Sequence, residues 1–263
     1  MKNPLTMNKY FEETKTGNIL ELKFTFNEVN ALNKEAFLSF IEKIDELSLK
    51  KPARVVILTS GVEGFFSNGL DPLMFLDKTE KEIRENFTIV MEAAEKFFFL
   101  PIPLIVLLNG HCMGAGSVFA IYGDYRFMAD KKARIAFPEA LIGMSFPSCA
   151  AMFLQDLVGK KNTRELLFSG KALKGHEAKE IGLVDEVYPV EEIREKVMSQ
   201  AQKIADLPPE SSSSIKSALR ESYRSRIDEL KHKDIDVTVK TILSKNSQEG
   251  FRSILEKRRP KFE

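Results

Sequence analysis

The sequence predicts an α/β fold, and three features lead to that prediction. Continuous apolar runs at 53–61 and 103–110 end in glycine, as expected for strands that are buried on both faces of a sheet. Apolar residues recur at helical spacing at 34–48 and 85–100. Predicted strands and helices therefore alternate along the chain, which is typical of the α/β class.

Three shorter elements follow from local patterns. The alternating segment 19–26 predicts a strand that ends at the turn-like stretch NEVNALN. Small residues followed by apolar ones predict a loop and then a helix within 114–125. The stretch 133–137 predicts a short strand.

The pattern changes near Leu207–Pro209. Beyond this point PPESSSSIKSALRESY and the following segments are highly charged and predict helices only. The serine run follows two prolines, which is typical of a helix start. We therefore predict a core at 1–206 and a helical C-terminal region at 207–263.

Composition limits the class of protein. Of the 263 residues, 43% are hydrophobic and 29% charged, and 39 Lys+Arg nearly balance 38 Asp+Glu. This balance gives no general attraction to nucleic acid or to acidic membranes. Two cysteines are too few for a disulfide scaffold, and MKNPLTMNKY lacks the apolar core of a signal peptide. We therefore expect a cytoplasmic protein without a nucleic-acid or membrane partner.

Two glycine-containing loops follow the predicted buried strands. FFSNGLDP (65–72) can turn a backbone N–H toward a ligand, or it is a plain surface turn. NGHCMGAG (109–116) places Gly114 and Gly116 at a predicted helix start, where free N–H groups can stabilise an oxyanion. Close packing of helix on strand would explain the same glycines.

Several other site motifs are absent from the sequence. Phe119 stands where a dinucleotide-binding fingerprint needs its third glycine, and no phosphate loop occurs. Ser117 lacks the flanking glycines of a nucleophile elbow. The three histidines are far apart and form no metal-ligand pattern with the cysteines.

Glu139 stands out in the apolar stretch FPEALIG (137–143). Burying a carboxylate is costly unless the group is paired or protonated. Pro138 could place Glu139 in a first helical turn, where acids are favoured. Alternatively, a carboxylate with a raised pKa suits a base that takes and returns a proton.

Taken together, these motifs resemble the enoyl-CoA hydratase/isomerase, or crotonase, superfamily. The resemblance covers nearly the whole chain, and the order and spacing of the motifs make it specific. It rests on NALN (30–33), FFSNGLDP, LNGHCMGAG, GDYRFMAD (123–130), FPEALIG, GLVDEVYP (182–189) and FRSILEKRRPKF (251–262).

The resemblance implies a fold and an assembly. The fold is a crotonase (ClpP-like) spiral of β-β-α units with a helical C-terminal region. That region mediates trimer formation in the family, so a homotrimer or homohexamer is expected. It also implies an acyl-CoA substrate, a place in fatty acid β-oxidation, and no cofactor, since coenzyme A is part of the substrate.

The resemblance also implies residue roles. The backbone N–H groups of Leu70 and Ala115 match the pair that holds the thioester carbonyl. Hydratases of the family use two glutamates, and here the matching positions are Val118 and Glu139. One acid is therefore present and the other is missing.

Water addition needs the second acid, whereas a double-bond shift needs one base. The single glutamate resembles Δ3,Δ2-enoyl-CoA isomerases, which implies conversion of 3-enoyl-CoA to trans-2-enoyl-CoA. Two alternatives stay open. The chain could be another acyl-CoA enzyme, such as a hydratase, hydrolase or lyase, in which Asp71 or a residue of the helix at 80–96 replaces the missing acid. It could also be a CoA-binding protein without activity.

Contacts to CoA follow from the same resemblance. The family wraps the nucleotide near the FSNGLD loop, and a lysine from the C-terminal helix often meets the phosphates. Lys257 matches that lysine, although it could equally be one more charge on a solvated helix. The expected CoA-binding set is Ser67, Asn68, Gly69, Asp71, Gly114 and Lys257.

Overall fold

The computed structural model describes residues 9–263 and the backbone of Asn3–Pro4. Within this part of the chain, two sheets form the centre of the molecule. The larger sheet has the order β1-β2-β3-β4-β6-β8-β10 and is parallel from β3 onward, while the smaller parallel sheet has the order β5-β7-β9. The strands are β1 (Asn3–Pro4), β2 (Phe11–Thr16), β3 (Ile19–Phe24), β4 (Val55–Ser60), β5 (Phe65–Ser67), β6 (Leu104–Leu108), β7 (His111–Met113), β8 (Tyr125–Ala129), β9 (Ile135–Ala136) and β10 (Glu186–Tyr188).

Eight helices surround the sheets in the described residues. Helix α4 is interrupted at Gly159, whose φ of 78° and ψ of 157° are not helical. Two short 3₁₀ helices, Pro72–Met74 and Glu139–Ile142, lie in connecting loops. The α-helices are α1 (Lys34–Lys50), α2 (Glu80–Phe98), α3 (Ala115–Ile121), α4 (Ser148–Ser169), α5 (Gly175–Glu180), α6 (Val190–Ala205), α7 (Pro209–Ile242) and α8 (Lys245–Leu255).

The chain repeats one unit of two strands and a helix. In each unit a strand enters the large sheet, a second strand enters the small sheet, and a helix follows. The units are β4-β5-α2, β6-β7-α3 and β8-β9-α4. Parallel neighbours in both sheets turn the units into a spiral, and the loops after β5, β7 and β9 lie on the same side because these strands are parallel neighbours.

The apolar sequences of the central strands reflect their burial in the sheet. Every residue of β4 and of β6 is buried, as their continuous apolar sequences VVILTS and LIVLL predict. A group of phenylalanines fills the space between the large sheet, α1 and α2. In this group Phe40 lies edge-on to Phe24 with ring centres 5.4 Å apart, and edge-on to Phe97.

Most predicted elements are found, with small shifts at their ends. The strands expected at 19–26, 53–61 and 103–110 are β3, β4 and β6, and the helix expected at 34–48 is α1. One interpretation was incomplete. The segment 65–72 is not only a turn, because Phe65–Ser67 pairs with β7.

The C-terminal region is helical, as predicted, and packs on the rest of the chain. Helix α7 contacts α2 and α4, and α8 contacts both 3₁₀ helices. Asp124 fixes α7 to the sheet, because its carboxylate contacts Lys216 Nζ at 2.7 Å and Arg220 Nη2 at 2.9 Å. A division into a core at 1–206 and an oligomerisation region at 207–263 stays a prediction.

Candidate active site

A cavity of about 60 Å³ is lined by residues of α2, α3, α4 and α7 and of the loops that follow β5 and β9. Helix α2 turns one face toward it, with Phe87, Val90 and Met91 at helical spacing. Most of its wall is apolar, and the two loops after β5 and β7 close one part of it through Leu70 and Ala115.

Glu139 faces this cavity from the first residue of its 3₁₀ helix. Its Oε2 atom is fully buried and has no hydrogen-bond partner among the described residues. Burial raises the pKa of the Glu139 carboxyl to about 7. At neutral pH the group is therefore balanced between its proton-accepting and proton-donating forms.

The main-chain N–H groups of Leu70 and Ala115 reach the same cavity. Leu32 N donates to Gly69 O and Asp71 N donates to Leu32 O, so the bridge between the two segments leaves the Leu70 N–H out. Ala115 is the first residue of α3, where an N–H has no partner within the helix. No described residue accepts a hydrogen bond from either group.

Glycines allow the two loops to touch. A Cβ added at Gly69 would stand 2.9 Å from Met113 O and 3.6 Å from Ala115 N. A Cβ at Gly116 would stand 2.6 Å from the Cβ of Ser67, so the start of α3 lies directly on β5. This contact brings the segments of Leu70 and Ala115 side by side.

Gly114 lies between these two loops and the carboxylate of Glu139. Its φ of 52° and ψ of −124° lie in a region that only glycine adopts easily. A Cβ built there would be 3.5 Å from Oε1 of Glu139. The free amides and the buried carboxylate therefore share one small volume, in which a thioester carbonyl and its neighbouring carbons could lie together.

Val118 lies one turn into α3 and lines the same cavity. The acids of the described wall are Glu139 and Glu95. Glu95 is held by Lys231, whose Nζ lies 2.5 Å from its Oε2. Val118 therefore supplies methyl groups and no acid to this part of the wall.

The remaining predicted residues have different surroundings. The Ser67 hydroxyl is buried, donates to Asn30 O and accepts from Gly69 N. Its hydrogen bonds therefore hold the backbone of the loop. Asn68 is exposed. Asp71 caps the 3₁₀ helix Pro72–Met74 by accepting from Leu73 N.

Lys257 is exposed and follows the end of α8. Its φ is 52°, and its backbone N–H donates to Ile254 O. That Ser67, Asn68, Asp71 and Lys257 contact CoA stays a prediction.

Sequence reasoning missed much of the cavity wall. Glu95 and Lys231 are charged residues on helices and look like solvent-facing positions, so their sequence gives no sign that they meet. Met144 also lines the cavity, whereas Phe75 stacks on Phe251 in the core. His111 packs edge-on against Phe65.

Residues 9–263 show no sign of two other site types. No group of three or more His, Cys, Asp or Glu side chains is placed to hold a metal ion there. None of the helices in that range combines the length and apolar character that a membrane span requires.

The chain is similar to known proteins over nearly its whole length. A family model described as enoyl-CoA hydratase/isomerase matches residues 14–263. Enoyl-CoA delta isomerase 1, mitochondrial, of Rattus norvegicus is 29% identical over 251 residues, which cover 95% of this chain and 87% of the rat protein. The 2,3-dehydroadipyl-CoA hydratase of Escherichia coli (strain K12) is 25% identical, over 89% of this chain and 90% of that protein.

Solved structures agree with the sequence matches. The crystal structure of human mitochondrial delta3-delta2-enoyl-CoA isomerase superimposes with a TM-score of 0.86 at 26% identity, covering 91% of this chain and 93% of the human one. The fold is the crotonase spiral, and the chain belongs to the enoyl-CoA hydratase/isomerase family.

Proposed function

We propose that this chain is an enoyl-CoA isomerase that converts 3-enoyl-CoA to trans-2-enoyl-CoA. One observation carries the proposal. Glu139, whose Oε2 has no partner among the described residues, shares the cavity with two backbone N–H groups that no described residue accepts from. Val118, at the position where the resemblance implies the other glutamate of a hydratase, adds only methyl groups to the wall. The isomerases among the relatives support the same reaction.

Glu139 acts first as a base. Its carboxylate removes a proton from C2 of the 3-enoyl thioester, and the electron pair of that C–H bond moves toward the thioester carbonyl. The product of this step is a dienolate and a neutral Glu139. A pKa near 7 makes the removal feasible at neutral pH and leaves the resulting acid able to donate.

The dienolate oxygen is held by Leu70 N–H and Ala115 N–H. Such donors stabilise the charge that develops on oxygen more than the neutral carbonyl, by about 3–4 kcal/mol per donor. Protonated Glu139 then returns its proton to C4. The double bond ends conjugated with the carbonyl, and the enzyme regains its starting charge.

The second candidate function is hydration of a 2-enoyl-CoA. The position of Glu95 in the cavity wall favours it. This acid lines the same cavity and could replace the glutamate that Val118 displaces. Its ion pair with Lys231 opposes that role, because the ammonium group already occupies the carboxylate oxygen that would hold the attacking water. Acyl-CoA hydrolysis, C–C cleavage and binding without turnover are the other outcomes of a substrate panel.

The test is a direct assay. Purified protein is mixed with a 3-enoyl-CoA, and the absorbance of the conjugated 2-enoyl thioester is followed. Crotonyl-CoA serves as the control for hydration, which removes that absorbance. We expect conjugated product and an unchanged control. An untouched 3-enoyl substrate together with rapid loss of crotonyl-CoA would favour the hydratase instead.

A further inference from the structure

Segment 144–149 runs from the 3₁₀ helix that carries Glu139 into the first turn of α4, and it forms one part of the cavity wall. Four of its residues line the cavity, namely Met144, Ser145, Pro147 and Cys149. The segment is joined directly to the proposed base, because the backbone N–H of Met144 donates to the backbone oxygen of Glu139 at 2.9 Å. The position of Glu139 therefore depends on the position of this segment.

A row of polar side chains on α7 contacts the segment. Asp234, Thr238 and Thr241 recur at the spacing of one helix face. The hydroxyl of Ser145 donates to Thr238 Oγ1 at 2.9 Å, and its backbone N–H donates to Thr241 Oγ1 at 3.3 Å. The backbone N–H of Cys149 donates to Oδ2 of Asp234 at 3.1 Å. These three side chains are called the polar face of α7.

The polar face lies where helix packing usually places apolar residues. Asp234 is 3% exposed and Thr238 is 1% exposed, and burying such groups is costly unless they are hydrogen-bonded. Every hydrogen bond that a side chain from elsewhere in the described residues makes to segment 144–149 comes from α7. Asp234 also serves the start of α4, which has no side-chain cap of its own. The polar face therefore fixes both ends of the segment.

We propose that Thr238 and Thr241 are positioning residues that hold segment 144–149 so that the Glu139 carboxylate faces the reacting carbons. The inference rests on the proposed function in taking Glu139 as the base. Neither threonine lines the cavity, so both act through Ser145. Hydrogen bonds are directional, and they set the place of a backbone more closely than apolar contacts do. A misplacement of about 1 Å at a reacting group can cost roughly 10²-fold in rate.

The test compares three variants with wild type. Thr238→Val/Thr241→Val removes both hydroxyl groups and keeps the branched shape of the side chains. Thr238→Ser/Thr241→Ser keeps the hydroxyl groups and removes two methyl groups. The matched control is Thr163→Val, because Thr163 of α4 is also buried and its hydroxyl donates to Gly159 O at 3.0 Å, outside the described cavity wall.

Kinetics and binding separate a positioning role from general damage. In the valine double variant we expect kcat with a 3-enoyl-CoA to fall about tenfold. The Kd for saturated hexanoyl-CoA, measured by calorimetry, should change less than about threefold, because the amides of Leu70 and Ala115 and the wall on α2 do not depend on the threonines. The serine double variant should recover most of the lost kcat, and the control should keep its kcat.

Hydrogen exchange gives a second readout that needs no turnover. The backbone N–H groups of Ser145 and Cys149 donate to α7, so their exchange reports directly on the contact. Peptides that cover residues 140–150 should exchange roughly tenfold faster in the valine double variant than in wild type. Exchange of these peptides in Thr163→Val should equal that of wild type.

Three results would overturn the proposal. One is a folded valine double variant that keeps wild-type kcat. Another is a serine double variant that loses as much kcat as the valine one, since the hydroxyl groups would then not matter. The third is unchanged exchange of residues 140–150 in the valine double variant. Failure of the proposed function looks different, because wild type would then convert no 3-enoyl-CoA while the exchange experiment still decides whether the threonines hold the segment.

Discussion

At the scale of single residues, the chemistry depends on how Glu139 is placed. Its sequence context, an acid after proline in an apolar stretch, supports both interpretations made from it. The residue does begin a 3₁₀ helix, and its Oε2 is also buried with no hydrogen-bond partner in the part of the chain that the structure describes. Sequence could predict that this carboxylate is unusual. It pointed to the helix at 80–96 as one source of a further acid, but it could not predict that Glu95 meets Lys231 in the cavity, because their meeting depends on how α2 packs on α7.

The pH dependence of turnover follows from the raised pKa of Glu139. The free enzyme needs an ionised carboxylate to accept the proton from C2. We therefore expect kcat/KM to rise with pH and to level off above an apparent pKa of about 7. Initial rates with a 3-enoyl-CoA between acid and mildly alkaline pH measure this. If the midpoint of the pH profile lay near 4.5, the ordinary pKa of a glutamate side chain, burial would not raise the pKa of the base.

The same pKa predicts a stability effect. Its folded value of about 7 exceeds the ordinary 4.5, so the native state binds the proton more tightly than the unfolded state. Wild-type stability should therefore fall as pH rises from about 4.5 through about 7. Glu139→Gln cannot ionise and should be more stable than wild type at pH 8, by roughly 1–3 kcal/mol. Urea unfolding at two pH values measures it, and an equal difference at pH 5 would contradict the explanation.

At the scale of secondary-structure elements, long regular patterns were predictable and short ones were not. Strands β4 and β6 were predicted from their long apolar runs. The structure buries all six residues of β4 and all five of β6, which explains why these runs are apolar. Strands β5 and β7 have three residues each, too few for a period to appear. The start of α2 was placed too late, although Thr79 and Glu82 form a capping box that marks it.

Helix α8 packs against the 3₁₀ helix Glu139–Ile142, which carries the catalytic carboxylate of the proposal. A Cβ added at Gly250 would overlap the carbonyl oxygen of Ile142, so the helix lies directly on the 3₁₀ turn. Gly250→Ala should push this turn away and misplace the carboxylate, lowering kcat roughly 10–100-fold. Steady-state kinetics measures this.

Gly175→Ala is the matched control. It crowds the side chain of Val187 at the start of α5, outside the described cavity wall. Its kcat should stay near wild type. Equal losses in both variants would mean that general destabilisation, and not the position of Glu139, lowers the rate.

At the scale of the whole molecule, the spiral core and the C-terminal helices form one packed structure. The helical character of the region after residue 205 was predictable from its charge and spacing. The way it attaches to the core was not predictable, since Asp124 lies almost a hundred residues before Lys216 and Arg220 in the sequence. The homotrimer or homohexamer expected from the family stays a prediction.

Asp124→Asn tests the attachment of α7. The substitution leaves two buried cations without their carboxylate, and removal of one partner from such a cluster is expensive. We expect a loss of about 3 kcal/mol in the free energy of unfolding, measured by urea denaturation. Glu229→Gln, in the exposed pair with Arg226, should cost less than about 1 kcal/mol. Similar values for the two variants would contradict a structural role for the buried cluster.

The central claim is that one carboxylate moves the proton, and its most direct test is the isomerisation rate of Glu139→Gln. Glutamine keeps the shape of the side chain and cannot accept the proton. With a 3-enoyl-CoA that wild type converts, we predict a rate roughly 10²–10⁴-fold lower and unchanged affinity for a saturated acyl-CoA. A variant that keeps near wild-type turnover would contradict the account.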